Sequence, residues 1–159
     1  TKLEQLIAEN EGVVIANDNS SAQVVLSGTQ QAVETVSNQL NCKRAIPLAV
    51  SGAFHSPFMA EAAKSFEQLI DEVPFKNARI PILSNADPTP CTNGELLKER
   101  LKKQMINGVR WRETMTTMAN ANINTFIEIG PGNVLSGLIK RCLTGVTTSQ
   151  ISSANDLGY

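Results

Sequence analysis

The sequence predicts an α/β protein whose first 50 residues form an α+β lobe. Two patterns lead to this prediction. Residues 1–50 place a β-hairpin between two amphipathic helices, whereas residues 51–159 alternate short apolar strands with helices. The 159 residues are 42% apolar and 18% charged, a globular composition with room for one domain or two small lobes.

The first lobe begins with a helix, because apolar residues recur there at helical spacing until Gly12. Strands are predicted over residues 13–16 and 23–26, joined by the turn-forming polar residues 17–21. A second helix follows Thr29, with its apolar residues on one face.

A third strand is predicted over residues 43–50, where Pro47 indicates an edge or a bulge. The resulting order α-β-β-α-β is the split βαββαβ arrangement without its first strand. We therefore expect a segment before Thr1 to belong to the same folded unit. A three-stranded layer complete in itself is the alternative.

The second part is predicted to continue with alternating helices and strands. The expected elements are a helix from Ser56 to Pro74, a strand over 79–84, a helix capped by Thr92 and Glu95, a helix over 112–120, a strand over 125–129, a helix after Gly130-Pro131-Gly132 and a strand over 146–151.

Charge and composition exclude several classes of protein. The 14 basic and 15 acidic residues give a net charge of −1 without a long basic stripe, which argues against nucleic-acid binding. The apolar runs are far shorter than a bilayer span, so no membrane association is expected. One histidine and scattered carboxylates give no metal-ligand spacing, and Cys42, Cys91 and Cys142 are predicted to be free thiols.

The only histidine, His55, lies between an apolar run at residues 45–50 and a predicted helix. An imidazole at such a junction is suited to acid–base chemistry. A histidine that merely hydrogen-bonds the backbone fits the pattern equally well, because no partner side chain can be placed beside it. Gly130-Pro131-Gly132 could bind an anion at a helix N-terminus, although a tight strand-to-helix turn is the favoured interpretation. The default interpretation of Asn17 and Asn19 is likewise backbone turn chemistry.

Three blocks of sequence carry a family resemblance. They are Asn17-Asp18-Asn19 with Gln23-Val24-Val25-Leu26-Ser27-Gly28, then Gly52-Ala53-Phe54-His55-Ser56, then Phe126-Ile127-Glu128-Ile129-Gly130-Pro131-Gly132-Asn133-Val134-Leu135-Ser136-Gly137-Leu138. Together they closely resemble the malonyl-CoA:acyl carrier protein transacylase family, in the family's order and over nearly the whole chain. The family's GHSxG nucleophile region has no counterpart in this sequence.

The resemblance implies a fold and a division of the chain. Residues 1–50 would be a ferredoxin-like small subdomain missing its first strand. Residues 51–159 would be the closing, C-terminal part of a hydrolase-like α/β large subdomain. His55 would then lie near the junction of the two, where clefts form.

The resemblance also implies a chemistry and its residues. The family moves malonyl from coenzyme A to the phosphopantetheine thiol of acyl carrier protein in fatty acid biosynthesis, through a malonyl-serine intermediate. His55 matches the base, the main-chain carbonyl of Gln104 matches the group that orients it, and Phe54, Asn17 and Asn19 match substrate contacts. No bound cofactor is implied, only the substrates malonyl-CoA and phosphopantetheinylated acyl carrier protein.

The implied partners are acyl carrier protein, malonyl-CoA and the amino-terminal portion of the same enzyme. Lys43, Arg44, Lys140 and Arg141 are candidates for a basic patch that attracts the acidic carrier protein. Since the chain has no serine in a GxSxG elbow, we expect it to be inactive alone. The implied location is the bacterial cytoplasm or an organellar stroma. The alternatives are an acyltransferase domain of a multidomain polyketide or fatty acid synthase, and a non-catalytic fragment that binds pantetheine or a partner.

Overall fold

A computed structural model describes residues 1–157 of the chain; residues 158 and 159, the end of the second predicted unit, lie outside the described residues. The helices are α1 Lys2–Glu9, α2 Gln30–Gln39, α3 Ala60–Asp71, α4 Gly94–Lys103, α5 Trp111–Asn120 and α6 Val134–Cys142. The strands are β1 Val13–Ser20, β2 Gln23–Gly28, β3 Thr125–Ile129 and β4 Thr147–Ile151. Short 3₁₀ turns occupy Pro57–Met59 and Ala154–Leu157. The predicted α/β class is confirmed.

The first lobe is a hairpin covered by two helices. Strands β1 and β2 pair antiparallel, and α1 and α2 pack against them around the buried side chains of Leu6, Val13 and Val36. The hydroxyl of Thr1 accepts a hydrogen bond from the N–H of Glu4, and Thr29 caps α2 in the same way. The predicted helix–hairpin–helix order of this lobe is confirmed.

The hairpin turn lies further along the chain than predicted. Strand β1 continues to Ser20, so Asn17 and Asn19 lie in the strand, and the turn consists of Ser21 and Ala22. Strand β1 has two register shifts against β2: Asn17 lies opposite Val25, whereas Asn19 falls at the second shift, between the paired residues Asp18 and Ser20. The prediction of a turn over residues 17–21 was wrong because turn-forming side chains are also tolerated at bulges.

Two predicted strands are not strands in the described structure. Residues 43–50 are exposed and irregular, and residues 79–84 make only an isolated bridge between Ile82 and Cys91. A strand exists only where a neighbouring strand accepts its hydrogen bonds, and residues 43–50 have none among residues 1–157. The split βαββαβ assignment therefore stays a prediction.

Helix α4 begins one residue later than predicted. Its cap is Asn93, whose Oδ1 accepts a hydrogen bond of 2.9 Å from the N–H of Leu96. The capping box of Thr92 and Glu95 was therefore wrong. The N–H of Gly94 is bound by Oδ1 of Asn77, which fixes the start of the helix.

The second lobe centres on a parallel pair of strands, β3 and β4. On one face, Phe126 packs with Met115 of α5 and Ile139 of α6 in a buried cluster. On the other face, Ile127 is 57% exposed and Ile129 is 80% exposed. Parallel sheets are normally covered on both faces. Exposed isoleucines are typical of a sheet face against which a further layer packs.

The two lobes meet along strand β1. The N–H of Val109 donates to the carbonyl of Ala16 at 2.7 Å, and the N–H of Asp18 donates to the carbonyl of Val109 at 2.9 Å. The side chains of Arg112 and Asp18 form an ion pair beside this bridge. The segment around Val109 thereby joins the edge of the hairpin to the second lobe. None of the helices within residues 1–157 combines the length and apolarity needed to cross a membrane.

Candidate active site

His55 lines a cleft of about 450 Å³ where the two lobes meet. Strand β1 contributes Val14 and Ile15 to the cleft. The remaining lining residues follow or precede elements of the second lobe: Pro57, Ala86, Ile106, Asn107, Gly108 and Arg110. His55 thus shares one cleft with residues of β1 and with the segment that follows α4.

The imidazole of His55 is held by main-chain oxygens. Its Nδ1 lies 2.9 Å from the carbonyl oxygen of Gln104 and 3.2 Å from that of Asn107. Carbonyl oxygens only accept, so Nδ1 must carry the proton and donate it. In the neutral ring, Nε2 then keeps a free lone pair, which is the state required of a general base.

The backbone of His55 is in the left-handed region, with φ of 58°. That conformation costs a residue other than glycine about 1–2 kcal/mol. Such a residue persists only where the surrounding structure holds it, and these positions cluster at functional sites. The next residue, Ser56, caps the turn Pro57–Met59, as the sequence predicted.

The loop that supplies both carbonyls is fixed at each end. Gln104 is the last cap residue of α4, and the N–H of Asn107 donates to the carbonyl of Lys103. Gly108 passes so close to β1 that a Cβ placed there would lie 2.6 Å from the carbonyl oxygen of Ile15. The position of the two acceptors thus depends on the packing of the lobes.

Arg110 brings a cation to the cleft. Its Nε donates to Oε1 of Glu113 at 2.8 Å, and its Nη2 donates to Oε2 of the same carboxylate. The hydrogen bond lowers the pKa of Glu113 and raises the pKa of Arg110, so both stay charged. Sequence reasoning missed Arg110; the signal available was its spacing of three residues from Glu113 at a helix start.

The predicted substrate contacts lie at different places. Phe54 adjoins His55 and is 47% exposed, with its ring near Gly52. Asn17 forms the bridge with Val109, and the carbonyl oxygen of Asn19 accepts a hydrogen bond from Sγ of Cys142. The structure therefore brings His55 and Gln104 together, whereas Asn17, Asn19 and Phe54 are not among the residues that line the cleft.

The turn Gly130-Pro131-Gly132 leads into a helix whose N-terminus is already occupied. The buried carboxylate of Glu128 accepts hydrogen bonds from the N–H groups of Leu135 and Ser136, at 3.0 and 2.7 Å. Hydrogen bonds from Ser136, and then from Leu135, hold the pKa of this carboxyl below its usual value. At these two N–H groups the protein's own carboxylate takes the place of an external anion.

No cluster of three or more metal-binding side chains occurs within residues 1–157. Cys42, Cys91 and Cys142 are free thiols. The chemistry that this arrangement offers is proton transfer at Nε2 of His55, in a cleft that the charged side chain of Arg110 also lines.

Comparison with known proteins gives a consistent result. Residues 1–158 match the family model described as the acyl transferase domain. The chain is 46% identical over 157 residues to the malonyl CoA-acyl carrier protein transacylase of Synechocystis, and 38% identical over 152 residues to that of Bacillus subtilis. The crystal structure of the Synechocystis enzyme superposes with a TM-score of 0.92 over 98% of the chain.

A further solved structure contains a malonyl-transacylase in complex with a type II polyketide synthase acyl carrier protein. It matches 98% of the chain with a TM-score of 0.85 and 30% identity. The chain spans about half the length of these relatives: 54% of the Synechocystis protein, 48% of the Bacillus protein and 51% of the chain in the complex.

Proposed function

The chain belongs to the acyl transferase domain family, and we propose that it supplies the base of a transacylase in fatty acid biosynthesis. The enzyme would move malonyl from coenzyme A to the phosphopantetheine thiol of acyl carrier protein. The observation that carries the proposal is the ring of His55, which lines the cleft and is held through Nδ1 by the carbonyl of Gln104.

In the proposed cycle His55 accepts a proton twice and donates a proton twice. Nε2 takes the proton of a serine hydroxyl while the serine oxygen attacks the malonyl thioester carbon. The tetrahedral intermediate then expels the thiolate of coenzyme A, which takes the proton from Nε2. The thiol of acyl carrier protein next gives its proton to Nε2 and attacks the malonyl-serine, and the serine oxygen leaves with that proton.

The carbonyls of Gln104 and Asn107 act on this cycle through Nδ1. They orient the ring and stabilise the imidazolium that forms in each half of the reaction, as an acidic partner does in other histidine bases. Each carbonyl contributes a partial rather than a full negative charge. We keep Phe54, Asn17 and Asn19 as proposed contacts of the acyl substrate.

The serine of this mechanism is proposed to lie in an amino-terminal portion of the same enzyme. The chain spans about half the length of its relatives, and its sequence has no serine in a GxSxG elbow. The exposed apolar residues of β3, and those of residues 43–50, offer a surface on which such a portion could pack. Residues 1–50 and 51–159 would then be a small subdomain and part of a large one.

The proposed carrier-protein partner is supported by charge. Lys43, Arg44, Lys140 and Arg141 are all exposed, and acyl carrier proteins are acidic. The side chain of Arg141 reaches across to Gln23 of the first lobe, where Nη1 donates to Oε1 at 2.7 Å. Reversing the charges of the four basic residues should mainly lower the rate at which the carrier protein associates.

Intact-mass measurement tests the proposal directly. The chain alone, incubated with malonyl-CoA, should gain no malonyl group, because it lacks the nucleophile. A reconstituted mixture of this chain and the amino-terminal half of the Synechocystis relative should carry malonyl on the amino-terminal half. A malonyl adduct on the chain alone would contradict the proposal. Pantetheine binding without transfer in the mixture would favour the non-catalytic alternative.

Phe54→Ser should relax the selection against a 2-methyl branch on the acyl group. The side chain is bulky and adjoins the base, and one methyl group in a contact of this kind changes discrimination by about tenfold or more. The measurement is the ratio of kcat/KM for malonyl-CoA and methylmalonyl-CoA in the reconstituted mixture. Phe58→Ser is the matched control, since Phe58 is a similarly exposed phenylalanine of the same segment. An unchanged ratio in Phe54→Ser would show that this ring does not select the substrate.

A further inference from the structure

A buried hydroxyl lies directly beside the base. Ser56 is 0% exposed, one of the three largest side chains that the described structure buries completely. Its Oγ–H donates to the carbonyl of Ala53 at 2.5 Å, and the same oxygen accepts from the N–H of Phe58 at 3.3 Å. One hydroxyl therefore links the backbone before His55 to the backbone after it.

We infer that Ser56 is a positioning residue for His55, which it holds in the left-handed conformation that aims the ring at the carbonyls of Gln104 and Asn107. The inference rests on the proposed function of His55 as the base. It assigns to Ser56 an effect on the ring that goes beyond capping the short helix after it.

The argument starts from the conformation of His55. A φ of 58° is unfavourable for histidine, so the residue returns to negative φ unless its neighbours prevent this. The bond from Ser56 to Ala53 closes the turn over three residues and encloses His55 between its two ends. On the far side, Pro57 has a fixed φ, and the N–H of Met59 donates to the carbonyl of Ser56.

The direction of the ring follows from the direction of the backbone. The contacts of Nδ1 with Gln104 and Asn107 span 49 and 52 residues of chain, and both carbonyls are fixed by α4 and by β1. If the backbone of His55 rotates, the ring leaves these acceptors. Without these acceptors the Nδ1–H tautomer is no longer stabilised, and the Nε2–H tautomer becomes populated as well.

The test uses the fact that the chain has a single histidine and a single tryptophan. Nitrogen NMR of the 159-residue chain gives the ratio of the two neutral tautomers of His55 without assignment. Circular dichroism and the fluorescence of Trp111 report whether each variant is folded. The variants are Ser56→Ala, which removes the hydroxyl, and Ser56→Thr, which keeps it at an extended position that threonine accepts. Ser65→Ala is the matched control, because Ser65 is exposed and its hydroxyl bonds only to the carbonyl of Glu61 within α3.

In the unaltered chain, in Ser56→Thr and in Ser65→Ala, the proton should reside on Nδ1. In folded Ser56→Ala, the ratio should move toward the Nε2–H tautomer by roughly threefold to tenfold, as expected for the loss of one hydrogen bond. A folded Ser56→Ala with the tautomer ratio unchanged would overturn the inference and leave Ser56 a purely structural residue. An unaltered chain with the tautomer ratio of free imidazole would overturn it as well, whatever the variants do. None of these readouts depends on acyl transfer, so a failure of the proposed function would be seen separately.

Discussion

Replacing His55 with asparagine should slow acyl transfer by about 10²–10⁴-fold, the range typical for loss of a positioned general base. Asparagine is the most informative replacement, because it tolerates a positive φ better than other residues. Its amide N–H can also take the place of Nδ1–H opposite the carbonyl of Gln104. The variant therefore keeps the backbone and the donor while it removes Nε2, the atom that takes the proton.

The rate of malonyl transfer in the reconstituted mixture gives the measurement, with saturating and limiting substrate to separate kcat from KM. The loss should fall on kcat, since the base acts in the transition state rather than in binding. Asn122→Gly serves as the control. Among residues 1–157, His55 and Asn122 are the two non-glycine residues with a positive φ. Full activity in His55→Asn would mean that another group accepts the proton.

Met115→Ala should destabilise the second lobe by about 2–5 kcal/mol, the cost of truncating a large buried side chain. Met115 is 1% exposed and packs with Phe126 and Ile139 at the centre of the buried cluster. Helix α5 also contacts β1, so the lobe contact that shapes the cleft rests on the same helix. The substitution leaves a cavity that the surrounding helices can fill only in part.

Urea denaturation followed by the fluorescence of Trp111 measures this loss, because Trp111 packs against the same cluster. The control is Leu69→Ala, a truncation of an exposed residue on α3, which should change the free energy of unfolding far less. Equal losses in the two variants would mean that Met115 is not at the centre of a tight core.

Elements with local signals were predicted well. The strand over residues 125–129 has the predicted bounds, and α5 begins one residue before the predicted start. Helical hydrogen bonds join residues four apart, so a stretch of sequence contains most of what decides a helix. Strand β3 was found because its short run of apolar and β-branched residues is bounded by turn-forming residues, and the strand predicted over residues 146–151 is β4.

The strands predicted wrongly are those that lack a partner strand in the described structure. Residues 43–50 and 79–84 have strand composition, yet in the described structure they have no neighbouring strand to pair with along their length. Asn17 and Asn19 have turn composition but lie in β1, because bulges and the bridge to Val109 accommodate them. Residue type shows which secondary structures a segment can adopt, whereas strand pairing in the folded protein decides which one it adopts.

The sequence by itself determined the α/β class, the helix–hairpin–helix lobe and the one histidine that is a candidate base. The family resemblance had matched the carbonyl of Gln104 to this histidine, and the tertiary structure added the carbonyl of Asn107, the side chain of Arg110 in the same cleft and the edge of β1. It also decided that Glu128, rather than a ligand, satisfies the N-terminus of α6. The physical reason is the sequence separation of the interacting groups. Helical hydrogen bonds join residues only four apart. The bond that orients His55 joins residues 49 apart, and only the path of the folded chain brings them within 2.9 Å.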